Sequence, residues 1–308
     1  MVLSFFLLII GGLYVFFPQV SDAPLIKVQE TPAAIEHGRY LVEHVAVCVS
    51  CHSPRDTSGP RCGQEYCGGG NEFTTRYGFP GNFYASNLTP HHLSQWTDGE
   101  IFRAITAGVS RDGRALFPAM PYNAYGQLAK EDVYAIIAYL RSLAPKEGDV
   151  PVSESPFPMS LVIRTFPSDG SFTLSPDSSD NITYGKYLAT MANCIGCHSK
   201  QENGRVINGC EGAGGNLFIT DDGSCYSTNI TPDKTTGIGM WTRGRFIARF
   251  KIQEVLFRSP GTDFSCYSIM PWYAYAGMKE KDLGAIYDYL MTLPPVKNKT
   301  ADKPPLTQ

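Results

Sequence analysis

The sequence predicts an all-α chain made of two tandem copies of one domain, with an apolar helix ahead of them. Three observations predict it: an internal repeat that keeps its motifs in order, an amphipathic helix closing each copy, and an apolar N-terminal run. The 308 residues suit two compact domains. A composition 43% hydrophobic and 18% charged belongs to a folded protein and excludes both a multi-span membrane protein and a disordered chain. With 26 basic against 29 acidic residues, the net charge of -3 provides no basic field, so nucleic acid is not an expected partner.

The apolar helix comes first. Val2 to Phe17 is almost unbroken by polar groups and stops at Pro18. At about 1.5 Å per residue it reaches the lower edge of what crosses a bilayer core of about 30 Å. Residues 1–24 are therefore expected to form a single membrane anchor. A cleaved signal peptide is the alternative, but no basic residue precedes the run, and Pro24 follows the nearest cleavage-like site, Ser21-Asp22-Ala23.

The repeat comes next. Cys48-Val49-Ser50-Cys51-His52 recurs as Cys194-Ile195-Gly196-Cys197-His198, and Gly38-Arg39-Tyr40-Leu41 recurs as Gly185-Lys186-Tyr187-Leu188. Downstream, Asn87-Leu88-Thr89-Pro90 matches Asn229-Ile230-Thr231-Pro232, Trp96 matches Trp241, and Met120-Pro121 matches Met270-Pro271. The domains are placed at 25–145 and 181–295. A linker rich in Pro and Ser lies between them at 146–180, and 296–308 is a tail. The apolar centre of the linker, Phe157 to Ile163, is expected to lie against a domain surface and fix the two halves relative to each other.

Each closing helix follows an i, i+3, i+4, i+7 pattern: Val133, Ile136, Ile137, Leu140 and Leu143 in the first copy, Leu283, Ile286, Tyr287, Leu290 and Leu293 in the second. Both end before proline, Pro145 and Pro294. A helix opens each copy ahead of its first Cys. A middle helix starting near Thr97 or Thr242 buries Ile101, Phe102 and Ile105, or Phe246, Ile247 and Phe250. No alternating pattern of useful strand length appears, and the Gly-rich loops 59–81 and 204–223 call for an organiser other than helix packing.

C-x-x-C-H occurs twice, in register. Two thiols at this spacing reach the two vinyl groups of one porphyrin, and the following imidazole faces its iron. The reading is two covalently bound haem c groups, held by Cys48, Cys51 and His52 and by Cys194, Cys197 and His198. A zinc site would have to bridge both copies, and a thioredoxin-like pair would want a βαβ context that is absent. Met120 and Met270, each beside a proline just before a closing helix, are the expected second axial ligands. With both axial positions filled, the expectation is outer-sphere electron transfer with no catalysis of its own.

Competing ligands are His91 and His92, which have no counterpart in the second copy and read as surface residues, and a Cys266 thiolate. Trp96 and Trp241 are expected to wall the porphyrins, with core packing as the alternative. Asn87 and Asn229 fit glycosylation acceptors by pattern, but their repetition favours a turn role. Cys62 with Cys67 and Cys210 with Cys225 would staple the long loops, leaving Cys266 over. Haem attachment and disulfides belong outside the reducing cytosol, which puts the haem domains in the periplasm and the anchor in the cytoplasmic membrane.

These motifs resemble the multihaem cytochrome c subunits of bacterial membrane-bound alcohol, gluconate and aldehyde dehydrogenases. The resemblance rests on Asn87-Leu88-Thr89-Pro90, Trp96-Thr97-Asp98, Gly108-Val109-Ser110-Arg111-Asp112-Gly113, Phe117-Pro118-Ala119-Met120-Pro121-Tyr122 and Pro156-Phe157-Pro158, over roughly residues 34–295. It implies two class I cytochrome c domains in which Gly38 and Gly185 let the first and last helices cross closely. It also implies redox partners: a dehydrogenase subunit as donor, and an oxidase or another cytochrome as acceptor. The family has three C-x-x-C-H domains where this chain has two. The alternative from a different class is a dihaem enzyme of the peroxidase or thiosulfate dehydrogenase type, which needs one iron open or thiolate-bound.

Overall fold

In each repeat the first and last helices meet at a glycine. A Cβ on Gly38 would overlap the carbonyl oxygen of Ala135, and one on Gly185 would overlap that of Ala285. Only a hydrogen atom fits between the crossing backbones, so the opening helices Pro32–Tyr40 and Asn181–Met191 pack directly on the closing helices Lys130–Ser142 and Glu280–Leu290. Thr31 and Asp180 start the opening helices, each accepting backbone N–H groups of the first turn.

The computed structural model describes residues 11–56, 59–60, 66–202, 205–220, 223–258 and 269–300. Its described residues form two compact units. One gathers 11–42, 51–54 and 66–175; the other gathers 43–50, 55–56, 59–60 and the described part of 176–300.

The first unit buries Val133, Ile136, Ile137 and Leu140 of its closing helix against Ile101, Phe102 and Ile105 of the middle helix Asp98–Ala107. That middle helix opens with a full capping box, in which Thr97 accepts from the Glu100 N–H and Glu100 accepts from the Thr97 N–H. Asp98 is buried with Arg141, whose guanidinium also donates to the carbonyls of Leu93 and Trp96. The Pro- and Ser-rich stretch lies on this unit: Leu161 and Ile163 are buried, Glu154 forms a bridge with Asn82, and the Phe172 ring packs 5.2 Å from Phe102.

The second unit repeats the plan with different side chains. Leu283, Ile286 and Leu290 are buried beside Phe246 and Phe250 of the middle helix Arg243–Arg258. Phe250 packs 5.2 Å from Trp272, Phe246 lies 5.6 Å from Tyr287, and Lys251 donates to the Ala276 and Met278 carbonyls.

Two parts of the expected fold class need correction. The chain is not purely α-helical, because among the described residues four two-stranded antiparallel sheets fold its Gly-rich loops. They pair Arg55–Asp56 with Gly59–Pro60, Glu72–Phe73 with Phe83–Tyr84, Gln201–Glu202 with Arg205–Val206, and Leu217–Thr220 with Gly223–Tyr226. Strands of two to four residues are too short to print an alternating pattern in sequence. The N-terminal membrane helix is also not found: among the described residues no helix is long and apolar enough to cross a membrane. Residues 11–16 are helical and end before Pro18, which cannot continue a helix. The rest of the apolar run lies outside the described residues.

Candidate functional site

The two C-x-x-C-H segments adopt one local geometry. Each enters a short helix, Cys48–His52 or Cys194–Cys197, from a residue in the left-handed region: Val47 at φ 48° and Asn193 at φ 51°. A β-branched valine there is unusual, and the recurrence of this backbone at the matching position marks a turn the site requires. On a helix the two thiols of each pair, three residues apart, share a face. All four cysteines and both histidines are partly buried.

A backbone carbonyl downstream of each motif aims its histidine. His52 Nδ1 donates to the Ser86 carbonyl at 2.7 Å, and His198 Nδ1 donates to the Thr228 carbonyl at 2.8 Å. A carbonyl only accepts, so each imidazole carries its proton on Nδ1 and presents Nε2 as a lone pair. Burial pushes both imidazoles below their ordinary range, with the carbonyl bonds acting the other way. Both are therefore neutral at pH 7. Burial, reinforced by Cys197, pushes the Cys194 thiol up to about 12.

Ser86 and Thr228 are held in turn by the Asn-x-Thr-Pro motifs. Asn87 Oδ1 accepts from the Thr89 N–H at 2.9 Å and hydroxyl at 2.7 Å, while its Nδ2 donates to the Lys146 carbonyl at 2.8 Å; the Lys146 N–H returns a bond to Thr89 Oγ1 at 3.0 Å. In the second repeat Asn229, Thr231 and Val296 make the same four bonds. Each motif is an Asx turn clasping the stretch of chain that leaves the closing helix. Asn87 and Asn229 are buried, with both amide atoms engaged, which agrees with a turn role and leaves no room for a glycan.

Other elements of this scaffold escape sequence reasoning. Ser53 and Ser199, fully buried, accept the N–H of Cys67 and Gly212 at 2.9 Å. Gly69 and Gly214, at φ 80° and 75°, donate to the carbonyls of His52 and His198. A Cβ at either would sit 2.6 to 2.8 Å from the backbone that carries the histidine's acceptor, so only glycine allows this approach. The signal is present as Cys-His-Ser in both copies and as Gly-Gly-Asn-x-Phe at 69–73 and 214–218.

Met120 and Met270 also sit in matching geometry. The N–H two residues on, from Tyr122 or Trp272, donates to the methionine carbonyl at 2.8 Å, across Pro121 at φ -80°, ψ 51° or Pro271 at φ -78°, ψ 63°. These are inverse γ-turns, and proline's fixed φ stabilises them. Both methionines are partly buried. Trp96 and Trp241 are partly buried too, their carbonyls held by Arg141 at 2.5 Å and by the Tyr287 hydroxyl at 2.6 Å. His91 and His92 are exposed. Cys210 and Cys225 are separate thiols, so the disulfide expected between them is absent. Cys62 and Cys266 lie outside the described residues.

No protein-family profile matches the chain. It is 28% identical over 300 residues to the cytochrome c subunit of the quinone-dependent alcohol dehydrogenase of Gluconacetobacter polyoxogenes, covering 91% of this chain and 60% of that one. The chain resembles these cytochrome c subunits. It is also 28% identical over 286 residues to the fructose dehydrogenase cytochrome subunit of Gluconobacter japonicus, covering 86% and 55%. With the gluconate 2-dehydrogenase cytochrome c subunit of Pantoea cypripedii it shares 26% over 239 residues, covering 72% and 52%. The chain thus spans between about half and three fifths of the length of these relatives.

A covalently attached haem fits the residues present. Each motif pairs two thiols with a neutral imidazole whose Nε2 is left free by the Nδ1 bond. In the first repeat the Tyr122 hydroxyl is buried with no partner among the described residues, and burial pushes its phenol up. An orphaned donor at the Met120-Pro121 turn is what an absent polar group would satisfy.

Proposed function

We propose that the chain is a dihaem electron-transfer protein that passes electrons from a dehydrogenase subunit to a respiratory acceptor, working outside the reducing cytosol. The observation that carries this reading is the twofold recurrence of a C-x-x-C-H helix whose histidine Nδ1 is engaged by a backbone carbonyl.

Cys48 and Cys51 would attach one haem and Cys194 and Cys197 the other, with His52 and His198 as proximal ligands and Met120 and Met270 opposite them. A haem so held supplies reversible one-electron chemistry, and a thioether opposite the imidazole raises its potential. The residues of the chain orient and enclose. The Ser86 and Thr228 carbonyls fix the ring planes of the histidines and raise their basicity. The inverse γ-turns at Pro121 and Pro271 hold each methionine in one place, so little rearrangement accompanies a change of charge. Trp96, Trp241 and Tyr122 supply bulk and polar hydrogens at the margins of the sites.

Fixed methionine turns in both repeats favour a carrier over a peroxidase-type enzyme, which needs one open coordination position. A redox titration of the matured protein tests this. Two electrons per chain, low-spin iron throughout and no turnover of peroxide or thiosulfate are expected. High-spin iron with peroxide turnover would replace the carrier reading with the enzymatic one.

A further inference from the structure

The two repeats differ in charge along their matching middle helices. Counting from the matching tryptophans, Asp98, Glu100 and Ala104 of the first middle helix stand where the second has Arg243, Arg245 and Arg249. Two carboxylates and a methyl group become three guanidinium groups.

The first-repeat charges have internal work: Asp98 is buried against Arg141, and Glu100 closes the capping box. The second-repeat arginines face outward. Arg243 pairs with Asp288 at 3.4 Å, but Arg245 and Arg249 are exposed, and among the described residues neither meets a carboxylate. They lie instead on aromatic rings. Arg245 sits 4.7 Å from the Trp241 ring centre and Arg249 sits 4.3 Å from that of Trp272, the second residue after Met270. One turn apart on the helix, the two share a face, and Ile252, three residues beyond Arg249, extends it as an exposed apolar group. Phe246 and Phe250, each one residue further along the helix, are buried and seat it on the core of the repeat.

We infer that this arginine face, carried on Trp241 and on Trp272 just past Met270, docks an acidic one-electron redox protein through a ring of carboxylates, and that the first repeat does not. The inference rests on the haem reading above and names the partner chemistry for one of its two sites. Uncompensated cations on a chain of net charge -3 form a local positive field that attracts and orients an acidic partner although the molecule as a whole repels it. Cation–π contact holds each guanidinium over its ring while leaving its N–H edges free for carboxylates.

The test uses the full haem-loaded chain, reduced, with an acidic blue-copper protein as probe oxidant in a stopped-flow instrument. One electron leaves the chain, Cu(II) becomes Cu(I), and no proton is transferred. The R245E/R249E variant should lower the second-order rate at least tenfold at low salt and flatten its dependence on ionic strength, whereas R245K/R249K stays within twofold. A charge-matched R114E/K130E variant in the first repeat should change the rate less than twofold. Equal losses in both charge-reversed variants, or no loss in R245E/R249E, would overturn the docking face. If the haem content itself is missing, the function proposed above fails first, so the two failures are told apart by the spectrum before any kinetics.

Discussion

The Asn229 side chain donates to the Val296 carbonyl at 2.7 Å, tying the loop that orients His198 to the segment leaving the closing helix 67 residues later. Asn87 ties the first repeat to Lys146 in the same way. A tetrapeptide that looks like a glycosylation signal is a buried joint between the histidine's acceptor and the end of the domain.

Replacing either asparagine by alanine leaves a buried N–H and a carbonyl without partners. Asn87→Ala and Asn229→Ala should each destabilise their own repeat by roughly 2–3 kcal/mol. Urea unfolding followed in the haem absorbance of each repeat checks this. An unchanged midpoint would mean that the clasp is ornamental.

At the helix crossings there is no room for a methyl group. Gly38→Ala and Gly185→Ala must push the opening and closing helices apart, and overpacking of this kind costs about 1–3 kcal/mol or more. Thermal unfolding should show a loss confined to the substituted repeat, and Gly→Ser should be worse than Gly→Ala.

If Met120 and Met270 close their sites, removing one opens only its own. Met120→Ala should admit carbon monoxide to one of two haems and Met270→Ala to the other, each seen as half the amplitude of a fully open protein in a difference spectrum. Carbon monoxide binding by neither variant would assign the position to another residue.

Asp233 gives the second repeat an acid sensitivity. Hydrogen bonds from Thr235 and Thr236 hold its carboxyl down at about 2, and Thr236 Oγ1 accepts from Asn229 at 3.0 Å. A carboxyl depressed in the folded state contributes stability above its unfolded value near 3.8, and that contribution is lost as pH falls from there toward about 2. Acid unfolding should therefore reach the second repeat with an added loss in this window. Asp233→Asn should remove that pH dependence.

Much of the plan was legible because it is periodic or repeated. Leu140 and Leu290 announce their helices by spacing, and Cys48 and Cys194 announce their chemistry by recurrence. The hairpin of Leu217–Thr220 with Gly223–Tyr226 was not legible, because four residues a strand are too few to set a period, and only the first strand alternates between exposed and partly buried positions. Ser53 and Ser199 were missed for a different reason: a buried serine that accepts one backbone N–H has no compositional signature. The opposite signs of Glu100 and Arg245 were printed in the sequence, but their meaning needed the shared helix on which they occupy the same place.

The most direct test of the central claim is the intact mass of the matured chain together with a thiol titration of the denatured protein. The account predicts a mass increased by two haem groups, with Cys48, Cys51, Cys194 and Cys197 all unreactive. A mass equal to that of the bare polypeptide, with those four thiols free, would contradict it.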